Sequence, residues 1–206
     1  MNAALSGPPG GFLSLVESAR QAGRARWLES RLFALTGNWA ASVPLPGVQV
    51  RLAAQSARHA RHADLWRARI PVLAWVDPDA LTTAPSPATE AALDLLEGTA
   101  EDEEANPGTL PRLAGLSRVV LPRLIVTYRR HRARCSPVAD GPVLDTLDHV
   151  LDETVADWQR CEEMVQELAL RPHDLAAVHQ FVGHLERLLI QVEGGPGMPE
   201  AVRAGA

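Results

Sequence analysis

Apolar positions along this chain recur at spacings of three and four, the period of a helix buried on one face. No segment alternates convincingly with the period of two that marks a half-buried strand. The most informative run is 48–73, an alanine-rich stretch that carries two histidines. Placed at about 100° per residue, Leu52, Ser56, His59, Ala63, Trp66 and Ile70 fall within one narrow stripe. Gln55 and His62 sit together on one flank, while Arg51, Arg58 and Arg69 lie well away from the centre. His59 is therefore expected to point inward. Ahead of this run, 12–39 reads as a helix with an interruption near Gly23. Leu28, Leu32, Leu35 and Trp39 share its face, flanked by Glu29 and Thr36. Pro44, Pro46 and Gly47 end that helix and leave a short connection, which favours antiparallel neighbours.

The period returns in the second half after a different kind of segment. Residues 77–111 are Pro-rich, hold the acidic run Glu101, Asp102, Glu103, Glu104, and fit one short helix over 88–96, so they read as a solvated crossover. A helix over 113–135 aligns Leu113, Val120, Leu124, Thr127 and His131 with Tyr128 beside them, and Pro122 should kink it or delay its start. Over 143–170 the expected inward stripe is Leu144, Leu147, Leu151, Val155, Trp158, Glu162 and Val165. Asp148 and Asp152 lie close to that stripe, and His149 and Glu153 project to the opposite side. A last helix over 174–192 carries Leu175, Val178, Val182, Leu185 and Leu189, with His179 facing the seam. Residues 1–11 and 193–206 are expected to be flexible ends around a single domain over 12–192.

Composition changes the picture at a few points. With 206 residues, 46% of them hydrophobic, the chain can bury a substantial core. A net charge of −5 disfavours general nucleic-acid binding, and the basic stretch from Arg129 to Arg134 reads as cations at a helix C-terminus. Cys135 and Cys161 lie far apart and outside any CxxC pattern, which argues against a Cys-rich zinc site. No apolar run approaches the ~18 residues needed to span a bilayer, and no signal peptide is visible, so the expectation is a cytoplasmic protein.

Helix, short turn, helix with paired polar residues, long crossover, then further long helices: this order resembles the ferritin-like superfamily. The local texture is similar too, in 38–44 (NWAASVP), 59–66 (HARHADLW) and 152–158 (DETVADW), and looks like actinobacterial ferritin-like proteins. The resemblance implies an all-α fold, a four-helix bundle with the crossover between helices 2 and 3 and an additional C-terminal helix. Di-iron members supply a Glu from each of two helices and Glu-x-x-His from the other two. Glu29 fits the first role. Gln55-x-x-Arg58 cannot serve as Glu-x-x-His, the third helix offers Tyr128 and His131 but no carboxylate, and Glu153 is followed three residues later by Ala156. An ordinary di-iron centre is therefore not expected.

A reduced site remains. His59 and His62, three apart on one helix, could reach one metal together, completed by Glu29 with Asp148 or Asp152; such a set suits iron or another divalent metal. A metal-free pocket is the other option, with His59 as general base oriented by Asp152 and with Gln55, Trp66, Tyr128 and His131 around a small-molecule ligand. Two functions stay open: a divergent ferritin-like protein that keeps this pocket for oxidation chemistry, and a non-catalytic bundle acting as a scaffold. A homodimer through apolar faces is expected in either case.

Overall fold

Ser14 opens the first helix, α1 (Leu15–Ser42), with a reciprocal cap. Its hydroxyl accepts from the Glu17 amide at 3.3 Å while the Glu17 carboxylate accepts from the Ser14 amide at 2.9 Å. This computed structural model describes residues 11–72, 77–98 and 108–193, with side chains as far as Ile190. Across them the chain is helical, with no strand among the described residues. Most of the expected flexible ends and the acidic run at 101–104 lie outside the described residues.

The inward faces of the first two helices are those the periodicity predicts. Leu28, Glu29, Leu32, Leu35, Thr36 and Trp39 of α1 are all buried. Pro46 takes the first position of α2 (Pro46–Arg67), where a missing amide hydrogen costs nothing, and Leu52, Gln55, Ser56, His59, His62 and Trp66 face in. The two helices run antiparallel: the Ser56 hydroxyl donates to the Phe33 carbonyl at 2.9 Å, and Glu29 meets His59 one turn away. Gly23 does not interrupt α1. A Cβ there would lie 2.2 Å from the carbonyl oxygen of Leu81, so the glycine admits the backbone of the short helix α3 (Pro78–Leu81).

Helix α4 (Pro87–Glu97) is capped by Ser86, whose hydroxyl accepts from the Thr89 amide at 3.2 Å, and it ends at Gly98 with φ +70°. The next run is continuous but not uniform: α5 (Thr109–Gly115), a π-helical segment (Leu116–Val120), then α6 (Leu121–Ala133). The Leu121 amide donates to Leu116, five residues back. Pro122, which has no amide hydrogen, therefore follows a widened turn instead of delaying the helix start. Gly115 is the tightest point of this run, since a Cβ there would come within 2.6–2.9 Å of Leu185, Leu96 and Phe181. Helix α8 (Pro172–Glu193) closes against α4 and α5.

Helix α7 (Gly141–Leu168) corrects the expected phase. Its buried residues are Thr146, Leu147, Val150, Leu151, Thr154, Asp157, Cys161, Met164 and Val165, while Trp158 is 36% exposed. The polar members are inside because each finds a partner there. Thr154 donates to the Val150 carbonyl at 2.7 Å, and Asp157 takes a two-pronged pair from Arg58 of α2, Nε to Oδ2 at 2.8 Å. This turn of the helix brings the row His149, Glu153, Asp157 to the α2 seam and sends Asp148 and Asp152 outward. His179 of α8, expected at a seam, is exposed, as are Thr127 and Leu175. No helix among the described residues is long and apolar enough to cross a membrane.

Candidate metal centre

The centre is built around Glu29, whose carboxylate has no exposure at all. One oxygen, Oε1, accepts from the Tyr128 hydroxyl at 2.6 Å; the other, Oε2, lies 2.6 Å from His59 Nδ1 and 3.4 Å from His62 Nδ1. Two adjacent elements on the first half of the chain, α1 and α2, thus supply three groups able to ligate a metal, and α6 supplies a hydroxyl. The donor atoms of Glu29, His59 and His62 all lie within 4.8 Å of one another, and all three residues are buried.

Each of these three groups is held from behind. Tyr128 fixes the far oxygen of Glu29. Gln55 Nε2 lies 3.4 Å from His59 Nε2, close enough for the amide to turn whichever end the imidazole tautomer requires. His62 Nε2 lies 2.8 Å from Glu153 Oε2 on α7. Metal-binding histidines are commonly oriented in this way, through a hydrogen bond at the nitrogen that does not bind the ion. By contrast His62 Nδ1, fully buried and turned toward Glu29, makes only a loose 3.4 Å contact with the carboxylate, longer than a well-formed hydrogen bond. A buried imidazole nitrogen held this loosely forgoes much of the hydrogen bond it had in water.

The electrostatics favour an anion at the centre. Burial alone would push Glu29 up, but His59 and His62 beside it outweigh burial and hold its pKa at about 2. Burial opposes a charge on His62 as well, yet contact with Glu29 and Glu153 raises its pKa above the ordinary value. Tyr128 is pushed well up by burial and by the Glu29 charge, so it remains a hydroxyl donor. Behind it, Trp66 stacks on His131 with ring centroids 5.7 Å apart and lies tilted by 31° against Tyr128 at 5.5 Å. Burial drives His131 down to about 4, with Asp140 raising and Arg134 lowering it, so its ring is neutral near pH 7.

Of the residues the sequence singles out, Glu29, Gln55, His59, His62, Trp66, Tyr128 and His131 come together in the interior. Asp148 and Asp152 do not join them. Asp148 is 52% exposed and pairs with Arg132, Nη2 to Oδ2 at 3.2 Å; Asp152 is exposed on the same outward side of α7. The orienting role given to Asp152 and the ligand role given to Asp148 therefore fail on helix phase. Glu153, expected to face away, takes the acidic position, with His149 Nε2 3.9 Å from its Oε2. The legible signal was the spacing of four through His149, Glu153 and Asp157, which becomes an α2-facing row once Asp157 is allowed inside. Arg58, a conceivable partner for Glu29, is instead committed to Asp157. Cys135 and Cys161 are free, buried thiols, pushed up by burial to about 11 and about 12. No family model, curated protein or solved structure matches the chain.

Proposed function

We propose that this chain is a divergent member of the ferritin-like superfamily, a four-helix bundle of α1, α2, the α5–α6 run and α7 with α8 added. In this reading it has lost the paired Glu-x-x-His ligands and binds one divalent transition metal, iron foremost, for oxidation chemistry on a small molecule. Glu29, His59 and His62 hold the ion. Two imidazoles and one carboxylate are the donor set of mononuclear iron centres, which leave positions open for dioxygen and substrate. The observation that carries the proposal is the cluster itself: the donor atoms of Glu29, His59 and His62 lie within 4.8 Å of one another, all three residues are buried, and His62 Nδ1 only loosely contacts the Glu29 carboxylate at 3.4 Å.

The chain's own residues have separable roles. Glu29 stays ionised and supplies the anionic oxygen. Tyr128 pins the other oxygen through its hydroxyl, Gln55 backs His59, and Glu153 backs His62. The rings of Trp66 and His131 pack behind Tyr128 and keep water from it. The symmetric di-iron set of the superfamily does not fit, because α6 presents Tyr128 and His131 where a carboxylate is needed.

One observation favours the second reading, a metal-free scaffold. His59 Nδ1 and Glu29 Oε2 approach to 2.6 Å and satisfy each other without an ion. Elemental mass spectrometry on protein expressed with iron, manganese and zinc separates the two. Near-stoichiometric metal in the wild type, lost in the His59→Ala/His62→Ala double variant, supports the metal centre. Metal at background in the wild type leaves the scaffold. The expectation of a cytoplasmic homodimer goes with either reading, and sedimentation velocity on the purified chain tests the dimer.

A further inference from the structure

We propose that His62, His149 and Glu153 form a second, solvent-facing metal site that shares the His62 imidazole with the buried one. The inference rests on the reading of the buried centre, and it adds a site that neither the resemblance nor the sequence pattern supplies. The donor atoms of these three residues also lie within 4.8 Å of one another. Glu153 Oε2 is 2.8 Å from His62 Nε2 and 3.9 Å from His149 Nε2, and the two imidazoles meet edge to face with centroids 6.2 Å apart.

The two sites use opposite nitrogens of one ring. His62 Nδ1 faces Glu29 and His59, while Nε2 faces Glu153 and His149. Each side then offers the same donor set, two imidazoles and one carboxylate, which selects borderline ions such as copper or zinc over magnesium or calcium. The outer side is also open: His149 is 54% and Glu153 28% exposed, so water completes the coordination. The geometry follows from the α2–α7 seam. His149 and Glu153 are one helical turn apart on α7, and Arg58 with Asp157 locks the register one turn further along.

Charge balance is straightforward. Before an outer ion binds, the hydrogen bond between His62 Nε2 and Glu153 Oε2 contains one proton. Binding puts the ion in its place and releases that proton to solvent. An ion on Nδ1 likewise displaces to solvent the proton that nitrogen carries in the imidazolium form, so with both ions bound the ring bridges them as imidazolate. Arg61 lies 3.6 Å from Glu153 Oε2 and is 56% exposed, in a pair weak enough to swing into water.

The test uses the full chain, stripped by chelator and titrated with copper(II) in the presence of glycine, which competes for isolated surface histidines. Two coppers per chain are expected in the wild type, with an integrated electron-spin signal well below the copper content because the imidazole couples the pair. His149→Ala, at a half-exposed position outside the buried centre, should fall to one copper with the full signal restored. Glu29→Gln should lose the inner ion and keep the outer one. One copper in the wild type that survives in His149→Ala and disappears in Glu29→Gln overturns the second site and leaves the buried one standing. Two coppers undiminished in His149→Ala also overturn it. No bound copper in any form overturns both readings.

Discussion

Glu29, His62 and His131 titrate in separate pH windows, each with its own sign. His131 has a folded pKa of about 4 against an ordinary 6.5, so the unfolded chain binds a proton that the folded one refuses. Stability is therefore lost as pH falls from 6.5 to 4, and over that span the loss is on the order of 3 kcal/mol. Glu29, held at about 2, contributes stability that is full above 4.5 and lost as pH falls below it. His62 is raised, so its contribution is full below 6.5 and fades as pH rises through its folded value. Taken together, the three groups make the metal-free protein most stable near pH 6.5. Urea unfolding at stepped pH checks the profile, and His131→Phe, which keeps a ring against Trp66, should flatten the slope between 6.5 and 4. An unchanged slope would assign it to other groups. Tyr128→Phe makes a sharper local prediction. It leaves Glu29 Oε1 buried without its donor and should cost about 1–3 kcal/mol at pH 7, measured by the same unfolding.

Between residues and the whole lie the helices, and two glycines separate what packing demands from what a helix prefers. Gly23→Ala would drive a methyl group into the Leu81 backbone and should destabilise by about 1–3 kcal/mol, because a carbonyl on α3 cannot rotate aside as a side chain can. Gly47→Ala, near the start of α2 with nothing within 4 Å, should stabilise by up to about 1 kcal/mol. If Gly23→Ala raises the urea midpoint as Gly47→Ala does, the close seating of α3 on α1 is wrong. These helices also show how far a sequence can be read. The inward faces of α1 and α2 were legible because their apolar stripes are clean, and Glu29, His59 and His62 came with them. The phase of α7 was not, since Trp158 carries much of its apolar weight yet sits at the surface, while Asp157 and Thr154 go inside on partners that periodicity cannot see. That slip moved the acid at the centre from Glu153 to Asp148 and Asp152. Helix α3 was missed because its four residues bury nothing. The π-helical turn before Pro122 depends on a hydrogen-bond choice that composition does not record.

At the scale of the molecule, Glu29 is the point at which α1, α2 and α6 meet, and His62 extends that junction to α7. An ion at this junction ties distant parts of the chain together, so its binding should appear in global stability. A ligand that binds only the folded state stabilises by about 2.7 kcal/mol at a hundred times its Kd. For a chain of this size each kcal/mol moves the Tm by about 2–4 °C, which puts the expected rise at about 5–10 °C. Differential scanning calorimetry of chelator-stripped protein with iron(II) under argon, and separately with manganese or zinc, measures it. Glu29→Gln should abolish the rise, because a neutral amide at a fully buried position neither ligates well nor balances the ion's charge. Asp148→Asn, on the outward side of α7, should leave it intact. A rise that persists in Glu29→Gln places the ion elsewhere. A wild type indifferent to every metal means that the hydrogen bonds among Glu29, His59 and Tyr128 hold the junction by themselves, which is the scaffold reading in its physical form.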